Sequence, residues 1–393
     1  MTRALRSSAA VLAGLLWATG LRAQSGIHGY ALDVAQANAR RGPIRSGFAD
    51  FARIRLMAAP AAGPLRLDLA YEQTLVVRSR PEAGASFLTG EAGASGEWLD
   101  LGGKLAAGDH AEWRHRVDRL SATFANERFQ LRAGRQTVSW ANTLFLTPAD
   151  PFSPFDPADP YREYRAGVDA LRLEYFAGPF TELDFVVRPA RTPVARTLTA
   201  LGRIRTTVSP WDIAVWAGAL HDEPAAAIAI SGSAGSWALR AESVVRRDNG
   251  RAIFRGAAGA DRRITIAGRD LYFVVEYQRD GYGAARAGGI AEVARSDAFR
   301  RGELQLTARD AIAAQASLQV HPLVSTELLV LRDIGDGSTL LTPAATVSLS
   351  DEMTLRLGLF QGFGDAAFDA GGFPLTEFGA LPRYAYLSLS FFF

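Results

Sequence analysis

The sequence predicts an all-β chain closed into one antiparallel transmembrane barrel of about 18 strands, within a range of roughly 16–20. Three observations predict it. Apolar and polar residues alternate with period 2 along nearly the whole chain, the polar partner is repeatedly a long charged residue, and the final strand ends on an aromatic residue at the carboxylate. Alternation alone also fits a secreted β-sandwich. A lipid-facing apolar band around a wet lumen explains the alternation and the charged second face together.

The N-terminus, MTRALRSSAAVLAGLLWATGLRAQS, has a basic start at Arg3 and Arg6, an apolar stretch ending near Leu21, and small Ala23 before Gln24. This is the layout of a cleaved secretory signal over residues 1–23, leaving 24–393 as the barrel domain. Its apolar run is short for a helical span, which needs about 20 residues. Losing Arg3, Arg6 and Arg22 takes the formal charge from +2 to −1, so the basic pI points to no nucleic-acid partner. The chain has no Cys, which excludes thiol chemistry and Cys-based metal sites.

Strand candidates follow in order. PLRLDLAYE sets Leu65, Leu67, Leu69 and Tyr71 against Arg66, Asp68 and Glu72, and RFQLRAGR sets Phe129, Leu131 and Ala133 against Arg128, Gln130 and Arg132. TELDFVVR, RGELQLTAR, IAAQASLQV and EMTLRLGLF continue the pattern as further expected strands. Each has the length of about 8–11 residues that a tilted strand needs to cross hydrocarbon. Residues 225–269 resist the reading, because pieces such as AAAIAISGSAG carry little side-chain contrast. Turn residues at Ala125-Asn126-Glu127, Ala177-Gly178-Pro179, Asp248-Asn249-Gly250 and Gly335-Asp336-Gly337 separate consecutive candidates. Long irregular runs near 79–112, 140–165, 279–299 and 362–383 are expected as external loops, with both chain ends periplasmic. The closing strand, LPRYAYLSLSFFF, carries Ala385, Leu387, Leu389, Phe391 and Phe393 on one face. It resembles the terminal strand that barrel-assembly machinery recognises in bacterial outer-membrane proteins. Leu387, Leu389 and Phe391 are expected to face lipid, with Ser388 and Ser390 inward.

The most distinctive segment lies between two plain strands. Pro148, Pro151, Pro154, Pro157 and Pro160 cannot donate to a strand ladder, so they exclude residues 140–165 from the wall. Phe145, Phe152, Phe155 and Tyr161 provide apolar surface for docking, and charged residues provide ion pairs. An ordered loop folded over or into the barrel mouth is expected. Arg135 or Arg165 should pair with Asp150, Asp156 or Asp169, and Arg162 belongs to the same charged set. These groups would either line a pore constriction or anchor the loop, and Trp140 would join an interfacial aromatic belt or an apolar patch at the mouth.

The run GRQTVSW…PADPFSPFDP…REYRAGVDALRLEY resembles a group of poorly characterised porin-like outer-membrane barrels. The matching positions are Gly134, Arg135, Gln136, Trp140, Asp150, Pro151, Asp156, Arg165, Gly167, Val168 and Asp169, within residues 127–190. Ala141 stands where members often have Gly. The resemblance implies a channel-like protein without naming a solute.

Catalytic signatures are weak. His28, His110, His115, His221 and His321 form no HExxH motif, and Ser317, His321 and Glu327 share no spacing that fixes a triad. The glycines of 371–379 lack the Lys of a phosphate loop. Neither an enzyme nor a cofactor is expected. The expected partners are outer-membrane lipids, lipopolysaccharide, the assembly machinery and an unspecified small solute. Two functions compete: a passive channel for small solutes, and a plugged or scaffold barrel serving envelope assembly or lipid or polymer export.

Overall fold

A computed structural model describes residues 26–80, 96–152, 161 and 164–393. Its strands are β1 (Ile27–Asn38), β2 (Gly47–Ala58), β3 (Ala61–Ala62), β4 (Leu65–Arg78), β5 (Gly102–Ala107), β6 (Ala111–Ala125), β7 (Phe129–Gln136), β8 (Val168–Phe176), β9 (Thr181–Arg191) and β10 (Arg196–Val208). They continue as β11 (Trp211–Leu220), β12 (Glu223–Ala234), β13 (Trp237–Asp248), β14 (Arg251–Ile266), β15 (Arg269–Asp280), β16 (Asp310–His321), β17 (Val324–Asp333), β18 (Thr339–Ser350), β19 (Met353–Phe363) and β20 (Tyr384–Phe392). All 20 join one sheet; β3 and β5 are short additions, which leaves 18 strands in the wall. Neighbours pair antiparallel, and β1 pairs with β20 from Tyr30↔Phe392 to Asn38↔Tyr384, closing the barrel. Closure satisfies every strand edge, the condition under which strands can span a bilayer.

Alternation sorts the side chains. On β9, Phe185 and Val187 point outward and are about half exposed, while Asp184, Val186 and Arg188 point inward and are buried. The outward set, including Val215, Ile228, Val245, Phe254, Val275, Leu357 and Leu387, makes a continuous apolar surface. Monomeric soluble proteins rarely expose apolar patches of that extent. The connections also sort by end. On the side of the chain termini they are brief, as at 126–128, 177–180 and 351–352, whereas 79–110, 137–167, 281–309 and 364–383 all emerge from the opposite end.

Much of the lumen is packed. Tyr30, Leu32, Val34 and Phe51 of β1–β2 meet Leu329, Leu331, Leu340, Phe360 and Tyr386 of β17–β20 in a buried cluster. Leu146, Tyr161, Leu306 and Phe378 enter that cluster from the loops. Each such side chain stabilises the inward loop fold by about 1.5–3 kcal/mol.

One expected strand is corrected. RGELQLTAR, residues 301–309, is not in the wall; it follows two short helices, Ile290–Arg295 and Asp297–Arg300, within the loop between β15 and β16. Its alternation is real but serves other contacts: Leu306 enters the lumen cluster and Glu303 enters an arginine network. Any extended segment with two different sides produces period 2, in a sheet or out of it. Residues 225–269, illegible as sequence, form β12, β13 and β14 in regular hairpins.

Candidate functional site

Residues 137–152, which follow β7, run along the inner face of the wall. Two glutamates hold the run 142–149 through its backbone. Glu242 of β13 accepts hydrogen bonds from the amides of Asn142 (2.7 Å), Thr143 (3.2 Å) and Ala149 (3.1 Å). Glu276 of β15 accepts from Leu144 (2.6 Å), Phe145 (2.8 Å) and Leu146 (2.9 Å). Gln305 adds a reciprocal pair, accepting from the Thr147 amide and donating to the Phe145 carbonyl. A loop in the interior must satisfy its backbone groups, and here side chains of the wall and of the β15–β16 loop act as the partners.

The sequence candidates fall into two groups. At the tops of β7 and β8, Arg135 forks onto Asp169 through Nε–Oδ1 and Nη2–Oδ2 contacts of 2.9 Å each. Arg135 has no exposure; its Nη1 also reaches Glu97 at 2.9 Å, and Asp169 accepts from the Trp98 and Leu99 amides. This cluster fastens residues 97–99 to the wall. Burial pushes the Glu97 carboxyl up, against the pull of Arg116 and Arg135.

The second group is inside the loop. Asp150 accepts from Arg165 Nη1 at 2.7 Å and from Ser139 Oγ at 2.8 Å, tying the outgoing chain to the returning one. Trp140 is buried in the lumen rather than in an interfacial belt. Its Nε1 donates to Asp184 at 2.8 Å, its ring meets Phe152 edge-on at 4.9 Å, and Trp216 lies 6.1 Å away. Asp156 and Arg162 lie outside the described residues. Of the terminal-strand residues, Leu387 is about half exposed and Leu389 partly so; Phe391 shares their face but is covered, its ring 6.0 Å from Phe393.

Sequence reasoning missed Glu242, Glu276, Gln305 and the returning chain's Tyr164. The Tyr164 hydroxyl bonds Glu72, and Arg55 lies 3.7 Å above its ring while pairing with Asp118 at 2.7 Å. Nothing local marks Glu242 or Glu276, since each is one more polar residue at an inward strand position.

A cavity of about 880 Å³ opens beside the loop, lined by nine arginines and Lys104 against five carboxylates. Arg188, Arg246 and Arg255 are buried at its wall, and Glu303 pairs with Arg246 and Arg301. A smaller cavity of about 240 Å³, with Ser139, Asn142, Arg203 and Arg205 in its lining, lies on the terminus side of the loop. Glu174, Glu182 and Asp184 also converge, and Arg172 bridges two of them, Glu174 and Asp184, at 2.8 and 2.6 Å. Ser317, His321 and Glu327 form no triad: the His321 ring accepts from the Leu323 amide, and Glu327 pairs with Arg356.

The sequence matches no protein-family model and no curated protein. Its fold is similar to that of several solved barrels. The outer membrane protein opdK from Pseudomonas aeruginosa has a TM-score of 0.52 at 11% identity, covering 93% of this chain and 98% of that one. A BenF-like porin from Pseudomonas fluorescens Pf-5 gives 0.53 at 10%, covering 94% and 98%. Acinetobacter baumannii OccAB1 gives 0.52 at 8%, covering 95% and 98%. The likeness is one of fold: an 18-stranded barrel of porin type.

Proposed function

We propose that the protein is an outer-membrane channel of the porin-like group its loop sequence resembles, passing small solutes by diffusion, with anions favoured. In this reading the signal segment directs export, the termini face the periplasm and the long loops face outward, among lipopolysaccharide. Residues 140–165 then serve as the constriction.

The observation that carries the reading is the cationic cavity beside an inner loop held by wall carboxylates. Ten basic side chains face five acids there. A low-dielectric cleft lined mainly by one sign concentrates counter-ions and selects by charge. Arg203 and Arg205 continue the basic lining on the other side of the loop.

Planar-bilayer recording of the purified barrel tests this. Stepwise conductance with a reversal potential favouring anions is expected. Folded barrel without conductance would sink the channel reading. That result would favour the plugged or scaffold alternative, for which the apolar cluster of β1–β2 and β17–β20 is the supporting feature.

A further inference from the structure

The loop between β15 and β16 returns to the wall through Glu303–Thr307, a segment that belongs to no strand. Alternate residues of it meet different parts of the molecule. Glu303 reaches the wall arginines and Gln305 the inner loop, while the Thr307 amide donates to Glu377 of the loop after β19 at 3.0 Å. The segment is a strap with side-chain anchors at three positions, and the first anchor is ionic.

That anchor faces the large cavity. The Glu303 carboxylate accepts from Nη1 of Arg246 and Nε of Arg301, and His221 Nε2 lies 3.9 Å away; all four side chains line the cavity. Glu303 is the outer partner of the Arg246 pair, its side chain keeping 10% exposure against 1% for the arginine. The neighbouring arginines have carboxylates of their own on wall strands. Arg255 pairs with Asp280 of β15 at 2.8 Å and Arg301 with Asp248 of β13 at 3.3 Å. Among the described residues Arg246 pairs with Glu303 alone. The wall thus presents a buried guanidinium whose counter-charge arrives on a loop. Leaving such a charge bare is costly, so an anion has to stand there whenever Glu303 does not.

We propose that Arg246 centres a binding site for an anionic solute, that Glu303 fills this site in the solute's place, and that a solute displacing Glu303 loosens the inner loop through Gln305. The proposal rests on the channel reading above for the solute's passage. A free carboxylate fits the guanidinium fork as Glu303 does, so displacement exchanges one charge-assisted pair for another. Gln305 is two residues from Glu303 and holds the Thr147 amide at 2.6 Å and the Phe145 carbonyl at 2.7 Å. Once the carboxylate is displaced, this end of the strap keeps the bond from Arg255 Nη2 to the Glu303 carbonyl, 2.8 Å long, and can tilt about it.

The glutamate side chain beyond Cα is a propionate, which makes propionate the probe. Amide exchange of the full-length folded barrel is compared in potassium propionate and potassium chloride at equal ionic strength, so that screening is the same. Propionate should speed exchange in peptides covering 299–305 and 145–149 by roughly 2–12-fold, the worth of one lost neutral hydrogen bond. Glu303→Gln should exchange fast at both places in chloride, with propionate adding little. Gln305→Ala should keep the propionate response of 299–305 and lose that of 145–149. Equal exchange of the wild type in the two salts overturns the proposal without needing any variant to fold. So does a propionate response that survives unchanged in Glu303→Gln. Bilayer recording of the same preparation separates the two readings. Anion-selective conductance without the exchange response removes the displacement and leaves the channel; the exchange response without conductance removes the channel and leaves the displacement.

Discussion

Arg135 is, with Arg246, one of the two largest fully buried side chains among the described residues, and its charge is matched by Asp169 and Glu97. Removing it takes the ion-pair partner from Asp169, leaves Glu97 with Arg116 at 2.7 Å, and releases the Val117 carbonyl that its Nη1 holds at 3.1 Å. Breaking one partner of such a pair costs about 3–5 kcal/mol, whereas replacing both with apolar residues of similar volume costs far less. Arg135→Ala should therefore lower the temperature at which the folded band disappears on gels. The double variant Arg135→Met, Asp169→Leu should recover much of the loss. His221 supplies a second prediction at this scale. It sits in the turn between β11 and β12, 3.9 Å from Glu303, with Thr197 Oγ1 2.9 Å from its Nδ1. Burial, aided by Arg188, Arg301 and Arg246 and opposed by Glu303, pushes the imidazole down from 6.5 to about 4. A ring held neutral in the fold but protonated when unfolded means the unfolded state binds more protons between those values. Stability from this site is thus full above about pH 6.5 and falls as pH drops towards 4, by roughly 3 kcal/mol in total. His221→Gln should flatten that part of the pH–stability profile; an unchanged slope would refute the assignment.

The inner loop is an element held through its backbone chiefly by Glu242 and Glu276. Three amides converge on Glu276, and a hydrogen bond to a charged group contributes about 1.5–3 kcal/mol. Glu276→Ala should free residues 144–146 without opening the wall, because the ladder of β15 is independent of that carboxylate. Noisier current and faster proteolysis within 140–150 are the expected readouts, with the heat-modifiable band retained. Equal noise and protection in variant and wild type would show that the loop is held elsewhere. Elements of this kind mark the limit of what sequence shows. The wall strands were legible where the two faces differ, as in TELDFVVR. They were not where the lumen demanded small residues. Ala225 and Ala227 of β12 pack beside Trp140 and Trp216, so both faces of the strand read as small and the contrast vanishes. RGELQLTAR failed in the opposite way, since its two faces differ for reasons unrelated to a sheet. The loop itself was visible from its prolines, and Arg135, Asp150, Arg165 and Asp169 from their charges. Glu242 and Glu276 were invisible because they meet residues about 100 and 130 positions away.

At the scale of the whole barrel, everything rests on one seam. Strand β20 pairs with β19 on one side and with β1 on the other, so its last residues hold both the sheet and its closure. The final rungs are dense. The Gly29 amide donates to the Phe393 carbonyl at 2.8 Å, and the Phe393 amide returns to Gly29 at 3.0 Å. Position 29 has to be glycine for this, because a Cβ there would lie 2.2 Å from the Arg55 carbonyl and 2.9 Å from the Phe393 ring. Phe392 lies beside Tyr30, their rings 6.0 Å apart, joining the end of the chain to the lumen cluster. Deleting Phe391–Phe393 removes those rungs and the stacked Phe391–Phe393 pair together. Synthesis and export should continue while the heat-modifiable, membrane-inserted form is lost. Phe393→Ala separates two causes, since it keeps the backbone pairing and removes only the terminal ring. If closure is what matters, Phe393→Ala should yield folded barrel with a lower melting temperature. If the ring is read during assembly, it should fail to insert as the deletion does. Normal yield of folded barrel from the deletion would show that the seam closes without its last three residues.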